Sequence, residues 1–345
     1  MGSQRRNNSR LKDELGAKGI VDLPMGLGMA ALGRPGYINL GHGDDLSDAT
    51  TDEGYGVAEM QAHAFGVLDA AWRLGIRYFD VARSYGRAEE FLGMWLRDRD
   101  IVADDVMIAS KWGYTYTAGW RVEAAHHEVK EHSLSVLQRH WSETAHTLGA
   151  YLTLYQIHSA TFESGVLDNA AVLDELGRLK ENGTAIGLTL SGANQGDVLA
   201  RALDVELDGL PLFDAVQSTW NLLEPSAADA LAQASRQGMV VIVKEALANG
   251  RLTPRNEAPE FSDRMAVLRD EAERLAASVD ALALAAVLSQ PWVDVVLSGA
   301  ASKEQIASNL RALDVPWDEQ AAIRLSALAE LPDEYWRTRS ELVWN

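Results

Sequence analysis

The fold class predicted for this 345-residue chain is a closed (β/α)8 barrel of the TIM type, and three observations predict it. From about residue 60 onward, short β-branched or aromatic runs alternate with amphipathic helical stretches, the rhythm of parallel strands joined by helical crossovers. The strand-like runs number eight once the one at 23–28 is included, and eight units in one uninterrupted series suit a closed barrel better than a doubly wound sheet. No Pro/Ser-rich linker or shift of composition divides the chain, so 20–345 reads as one domain behind a polar, loose extension at 1–19.

Taken in order, LPMGLG (23–28) reads as a short buried strand, and the GLGMAALG within 26–33 lacks the spacing of a dinucleotide fingerprint. Residues 33–58, rich in Gly, Asp, Ser and Thr, form a long loop of the kind that often serves function. Phe65, Leu68, Ala71 and Trp72 then share one helical face, and Gly75 stops that helix before a strand at 76–80. The following strands read as 106–111, 152–158, 184–190, 214–218, 239–244 and 293–298. Between them lie a Trp/Tyr/Gly-rich loop, a long helix at about 124–147 that carries five histidines, and a helix striped by Val172, Leu173, Leu176 and Leu179. Helices near 194–204 and 225–237, an apolar helical region ending at Gln290 and a helix from Ser302 complete the series.

Composition narrows the partners. With 31 basic and 50 acidic residues the net charge is −19, which opposes a polyanion such as nucleic acid. No apolar run is long enough to span a bilayer, and no apolar segment follows the basic start as it would in a signal peptide. The absence of cysteine excludes disulfides, thiolate nucleophiles and zinc–thiolate centres, and a cytoplasmic location is the simplest expectation. No His-x-His pair marks the first strand, so no metal site is expected.

In such a barrel the carboxyl ends of all strands open on one rim, where active sites sit. Asp80, Lys111, His158, Gln217 and Lys244 each close a different strand, and Tyr85 follows Asp80 on the adjoining loop. Singly, each has an ordinary structural explanation; five polar residues at five such ends are hard to explain as packing. A phenol ionises near pH 10, so a general acid working near neutrality needs a shift of about two to three units, about 3 to 4 kcal/mol. One ammonium at about 4 Å supplies roughly that at an effective dielectric near 20. Lys111 is therefore expected to acidify Tyr85, with Asp80 holding the ammonium and His158 orienting a substrate oxygen. The set has a proton donor and an oxygen-binding corner but no nucleophile, which fits carbonyl reduction by an external hydride source.

Four segments, FDVARSYG, IASK, LYQIH and LSGAASKEQIASN, resemble those of the aldo-keto reductase superfamily in order and spacing from about 20 to 315. The resemblance implies a (β/α)8 barrel, a nicotinamide cofactor bound without a Rossmann domain, and a catalytic set of Asp80, Tyr85, Lys111 and His158. Tyr85 would protonate the oxygen of an aldehyde or ketone that receives hydride, and reversal gives alcohol or aldose oxidation. For the cofactor it implies Gly28 and Met29 after the first strand, Thr189, Gln217, and Lys244, Ala246 and Leu247 after the seventh. Ser298, Gly299, Ala300, Ser302, Gln305 and Asn309 complete the set, at a helix start suited to phosphate. Ser302 and Gln305 also make S-x-x-Q, a capping box that accounts for both without a ligand.

The chain departs from the family pattern at three places. Gln305 stands where an arginine for a 2′-phosphate is common, although Lys303 is near, and NADP(H) is expected ahead of NAD(H). Thr189-Leu190 replaces a Ser-Asn pair, and Lys244 replaces an aromatic residue that stacks on the nicotinamide. The rim loops 33–58 and Trp112 to Trp120 and the C-terminal tail with Tyr335, Trp336 and Trp344 are candidate substrate walls, suiting apolar or sugar-like carbonyl compounds; the tail reads equally as a packed C-terminal helix, and 33–58 as a plain surface insertion. Two other readings are a nicotinamide-nucleotide-sensing regulatory subunit with little turnover and a barrel hydrolase using Asp80 and His158.

Overall fold

The computed structural model describes residues 6–51 and 54–345. Eight strands form the barrel: β1 (Met25–Gly28), β2 (Tyr78–Asp80), β3 (Met107–Trp112), β4 (Leu152–Ala160), β5 (Ala185–Leu190), β6 (Ala215–Thr219), β7 (Val240–Lys244) and β8 (Val295–Ser298). Each pairs in parallel with its neighbours, and β1 bonds both β2 and β8, so the ring closes without an edge. The expected (β/α)8 barrel is the observed fold, with strand positions within two residues of the sequence reading at nearly every end.

Twelve α-helices of eight or more residues accompany the barrel among the described residues: α1 (Arg6–Ala17), α2 (Val57–Arg73), α3 (Ala88–Asp98), α4 (Leu134–Leu148), α5 (Ala170–Glu181), α6 (Gln195–Leu203), α7 (Ala228–Arg236), α8 (Ser262–Arg274), α9 (Val279–Leu288), α10 (Lys303–Leu310), α11 (Glu319–Ser326) and α12 (Pro332–Ser340). The helical stripes face the barrel, as 3.6-residue periodicity requires. In α5, for instance, Val172, Leu176 and Leu179 are buried. Gly75, at φ +94°, reverses the chain between α2 and β2 in a backbone region that a side chain would strain. No helix among the described residues is long and apolar enough to cross a membrane.

Two regions differ from the sequence reading. The helix expected from 124 begins at Leu134, where the Ser133 hydroxyl accepts from Val136 N at 3.4 Å. Ahead of it Tyr114–Tyr116 and Glu128–Lys130 pair as an antiparallel hairpin, so His126, His127 and His132 are not helical. The polar composition of 121–131 imitates a helix, whereas aromatic and β-branched residues at the hairpin's two arms favour pairing.

The second region is the N-terminus. Composition suggests a loose extension over 1–19; its first five residues lie outside the described ones, but α1 is a packed helix. Leu11 and Leu15 join Tyr78, Met107, Leu154 and Val240 in the barrel's interior cluster. Lys12 meets Asp294 just before β8 at 3.3 Å, and Lys18 donates to Ala103 and Asp104 carbonyls ahead of β3. These partners enter strands rather than leave them, so α1 plugs the end opposite the rim. Truncation of Leu15 to Ala is expected to cost about 2 to 4 kcal/mol in urea unfolding; a change near zero would show that the plug does not seal the barrel.

Candidate active site

Asp80 ends β2 and Lys111 lies one residue from the end of β3, and parallel pairing of those strands sets the two side chains side by side. Both are about 1% exposed, and the Lys111 ammonium is in direct contact with Asp80 Oδ1. Lys111 Nζ also donates to the Val81 carbonyl at 3.1 Å and to Tyr85 Oη at 3.3 Å. The other carboxylate oxygen, Asp80 Oδ2, accepts from Gln217 Nε2 at 2.9 Å and Gln156 Nε2 at 3.4 Å. Four strands thus converge on one carboxylate. His158 closes the group, its ring edge-on to Tyr85 with centroids 5.7 Å apart. Its carbonyl is held by His132 Nε2 at 2.9 Å, while its own Nδ1 is buried without a partner.

Tyr85 is set in place by the loop after β1. A side chain on Gly33 would overlap the Tyr85 carbonyl oxygen and Ala88, and one on Gly86, at φ +60°, would overlap Gly33. The two bare backbones dock, with Arg87 N donating to the Gly33 carbonyl at 2.7 Å. That contact delivers Arg34 over the Tyr85 ring, its guanidinium carbon 5.3 Å from the centroid. Arg34 donates to the Ser84 carbonyl at 2.9 Å and to Glu128 at 3.0 Å, and Trp344 covers its other side at 4.9 Å.

Burial decides the ionisation here. The Tyr85 phenol is pushed well above 10, by burial first and then by Asp80, with Arg34 opposing. This reverses the direction given by the charge arithmetic: Asp80 largely cancels the ammonium beside it, and the dry site penalises phenolate. Burial also lowers Lys111, against the pull of Asp80. His158 falls well below 6.5, by burial and then by Lys111, so a neutral imidazole faces the site at pH 7.

At β7 the chain turns through Glu245, Ala248 and Asn249 at φ +55°, +49° and +56°, a left-handed run rare for residues with side chains. Glu245 is clamped by Arg339 of α12 at 2.6 Å and by the Thr219 hydroxyl at 2.8 Å, while Asn221 Nδ2 holds its carbonyl at 2.9 Å. Burial raises the Glu245 carboxyl, but Arg339 and Lys244 override it and bring it to about 2. Lys244 is drawn down to about 8, by burial against Glu245.

These groups share one cavity of about 680 Å³, within the usual range for small-molecule sites. Asp80, Tyr85, His158, Gln217 and Lys244 line it. Gly28, Ala246, Leu247, Ser298, Gly299, Ala300, Gln305 and Asn309 also line the cavity, while Lys111 stands just behind the wall. Met29, Thr189 and Ser302 stand off it. Met29 is in the core beneath the β1 loop, and the Thr189 hydroxyl accepts from Ser159 N at 2.7 Å. Ser302 caps α10, accepting from Gln305 N at 3.2 Å, while Gln305 Oε1 accepts from Ala301 N at 2.8 Å. The capping geometry therefore engages both side chains. Asn309 donates to the Ser298 hydroxyl at 2.8 Å. A dinucleotide fits this wall: a Cβ on Gly299 would meet nothing within 4 Å, which leaves the backbone ahead of α10 open to phosphate.

A family model for the aldo/keto reductase family matches residues 50–330, more than three quarters of the chain. The chain belongs to the aldo/keto reductase family. This aldo-keto reductase is an NAD(P)-dependent oxidoreductase acting on carbonyl or alcohol groups. It is 26% identical to a pyridoxal 4-dehydrogenase of Microbacterium luteolum over 96% of this chain and 97% of that one. It is also 26% identical to a D-threo-aldose 1-dehydrogenase of Pseudomonas, covering 87% of this chain and 95% of that one. The holo form of an aldo-keto reductase from Bacillus halodurans shares the fold with a TM-score of 0.65 at 21% identity, covering 89% and 92% of the two chains.

Sequence reasoning missed Arg34, Glu128, Glu245 and Arg339. Only Glu245, next to a strand-ending lysine, carried a local signal; the others reach the site from loops and a helix distant in the chain. Glu245 gives a test. Its carboxylate contributes stability that is present above about pH 4.5 and lost as pH falls toward about 2. Arg339→Met is expected to lower stability at pH 7 by about 3 kcal/mol and to flatten the loss between about pH 5 and 2. Urea unfolding at several pH values measures both, and a variant that tracks the wild type throughout would remove the clamp.

Proposed function

We propose that this chain is a cytoplasmic NAD(P)H-dependent carbonyl reductase, reversible to alcohol or hemiacetal oxidation, with Tyr85 as general acid. The reading rests on one observation above others: a phenol oxygen 3.3 Å from a buried ammonium, beside a neutral imidazole, in the wall of a cavity of about 680 Å³. A bound nicotinamide supplies hydride to the carbonyl carbon, or takes it up in reverse. The protein's part is to bind the oxygen and manage its proton. His158 orients the oxygen, and Tyr85 rests protonated and gives its proton as the oxygen gains negative charge. Lys111 then stabilises the phenolate, held in line by Asp80, which Gln217 and Gln156 fix in turn. Because burial keeps the phenol neutral at rest, the driving force for its release is the far stronger base that forms on the substrate.

Gln217, Ser298, Gly299, Ala300 and Asn309 are the proposed cofactor wall, together with Gly28 beside Ser298 and with Ala246 and Leu247. NADP(H) is preferred to NAD(H), with Lys303, exposed at the first turn of α10, as the cation for a 2′-phosphate in place of the engaged Gln305. The substrate class is an aldehyde, ketone or cyclic hemiacetal, supported by the names of the pyridoxal and aldose dehydrogenases that the chain resembles. The cation at Lys244 also motivates a second reading, a nucleotide-sensing barrel with little turnover. Aldehydes and ketones screened with NADPH absorbance separate the two, because a sensor binds without oxidising the nucleotide.

Tyr85→Phe is expected to keep nucleotide affinity within about twofold while turnover falls about 10²- to 10⁴-fold. A Tyr85→Phe enzyme of near-normal turnover defeats the assignment. Lys303→Ala is expected to weaken NADPH binding about fivefold and leave NADH unchanged, in keeping with an exposed charge pair. Equal effects on both nucleotides would place the 2′-phosphate contact elsewhere.

A further inference from the structure

The charges at the reacting end of the cavity do not cancel. Three basic side chains there each lean on a carboxylate: Arg34 on Glu128 at 3.0 Å, Lys111 on Asp80, and Arg339 on Glu245 at 2.6 Å. Lys244 has no carboxylate of its own. Its nearest is Glu245 Oε2 at 3.9 Å, but that oxygen accepts from the Thr219 hydroxyl at 2.8 Å, and Oε1 takes both Arg339 nitrogens. Lys244 Nζ donates to Thr219 Oγ1 at 3.0 Å, which leaves N–H groups of the ammonium for the cavity it lines. Its side chain is only 18% exposed, so water screens this surplus charge poorly.

A fixed charge in such a place acts on any bound group whose own charge changes. Hydride transfer does this to a nicotinamide ring, which is cationic when oxidised and neutral when reduced. Lys244 ends β7 opposite Thr219 of β6, lines the same cavity as Asp80, Tyr85, His158 and Gln217, and its charge helps to lower His158. A ring able to pass hydride to a carbon held at Tyr85 lies within that field. We propose that Lys244 sets the redox polarity of the site. Its ammonium, which has only a share of the Glu245 carboxylate already paired with Arg339, disfavours the oxidised nucleotide, favours the reduced one, and shifts the bound equilibrium toward oxidation of an alcohol or hemiacetal. In that direction the substrate C–H bond would break with its electron pair, which a bound oxidised ring would take up as hydride, and the hydroxyl proton would pass to the Tyr85 oxygen as the phenol gives up its own proton to solvent. The product is a carbonyl compound or lactone, and the ring charge that Lys244 repels has been removed. The inference rests on the nicotinamide reading above.

The test compares wild type, Lys244→Met and Lys244→Arg by titration with oxidised and reduced nucleotide, followed through quenching of the ten tryptophans. In Lys244→Met the ratio of reduced to oxidised affinity is expected to fall about tenfold, about 30 mV for a two-electron couple. Lys244→Arg keeps the charge and is expected to keep the ratio. In wild type the ratio is expected to decline as pH rises through about 8, where Lys244 loses its proton. Glu245, Arg339, Lys111 and Asp80 also face Lys244, and the same pH series on Lys244→Met subtracts what they contribute. An unchanged ratio in Lys244→Met overturns the proposal, as does equal loss of both affinities, the result a merely structural lysine would give. Failure of wild type to bind either nucleotide overturns the function proposed above, and this inference with it.

Discussion

The buried contact between Asp80 and Lys111 is the constraint around which the rim is arranged. A carboxylate and an ammonium withdrawn from water are costly unless each finds its full set of partners. Here Asp80 accepts from Lys111, Gln217 and Gln156, and Lys111 donates to Asp80, the Val81 carbonyl and Tyr85. Strands β2, β3, β4 and β6 all contribute, so the pair holds its geometry only in a closed barrel whose strands keep register. An open sheet would leave the far partners out of reach.

Around that centre the rim is built from close backbone approach and stacked rings. Gly33 and Gly86 let two loops touch, and the contact carries Arg34 onto the Tyr85 ring. Trp344 stacks on His127 with centroids 3.8 Å apart and lies beside Arg34, while Asn345 pairs with the backbone of Tyr37. Of the residues expected to form substrate walls, Trp112 and Tyr335 are buried in the core because their rings pack against apolar neighbours, whereas Tyr37 of the 33–58 loop, Tyr114 and Trp344 line the cavity. The arginine at their junction is polar, buried and held by Ser84 and Glu128, which gives this wall a charged element among its aromatic faces.

Electrostatics in the site is a contest between burial and charge, and its outcome differs from residue to residue. Burial prevails at Tyr85 because the nearest ammonium is already paired, whereas at Glu245 the charges of Arg339 and Lys244 prevail over burial. A sum over neighbouring charges ranks these groups wrongly when it omits desolvation, which acts on the isolated group whatever surrounds it. The same distinction separates Lys111, in direct contact with Asp80, from Lys244, which has only a share of the Glu245 carboxylate that Arg339 already holds.

The sequence by itself determined the barrel, the strand ends and the polar residues standing on them, because strand–helix alternation and apolar stripes are local patterns imposed by backbone geometry. It also held both readings of Ser302 and Gln305, and the cap is what their geometry forms. Only the tertiary structure decided that 1–19 contains a helix plugging the barrel, that 114–130 turns back as a hairpin, and that Arg34, Glu128 and Arg339 meet at the site. It decided as well which way burial moves each ionisable group. These outcomes depend on packing and solvent exclusion between segments far apart in the chain, and no local run of residues encodes the distance between them.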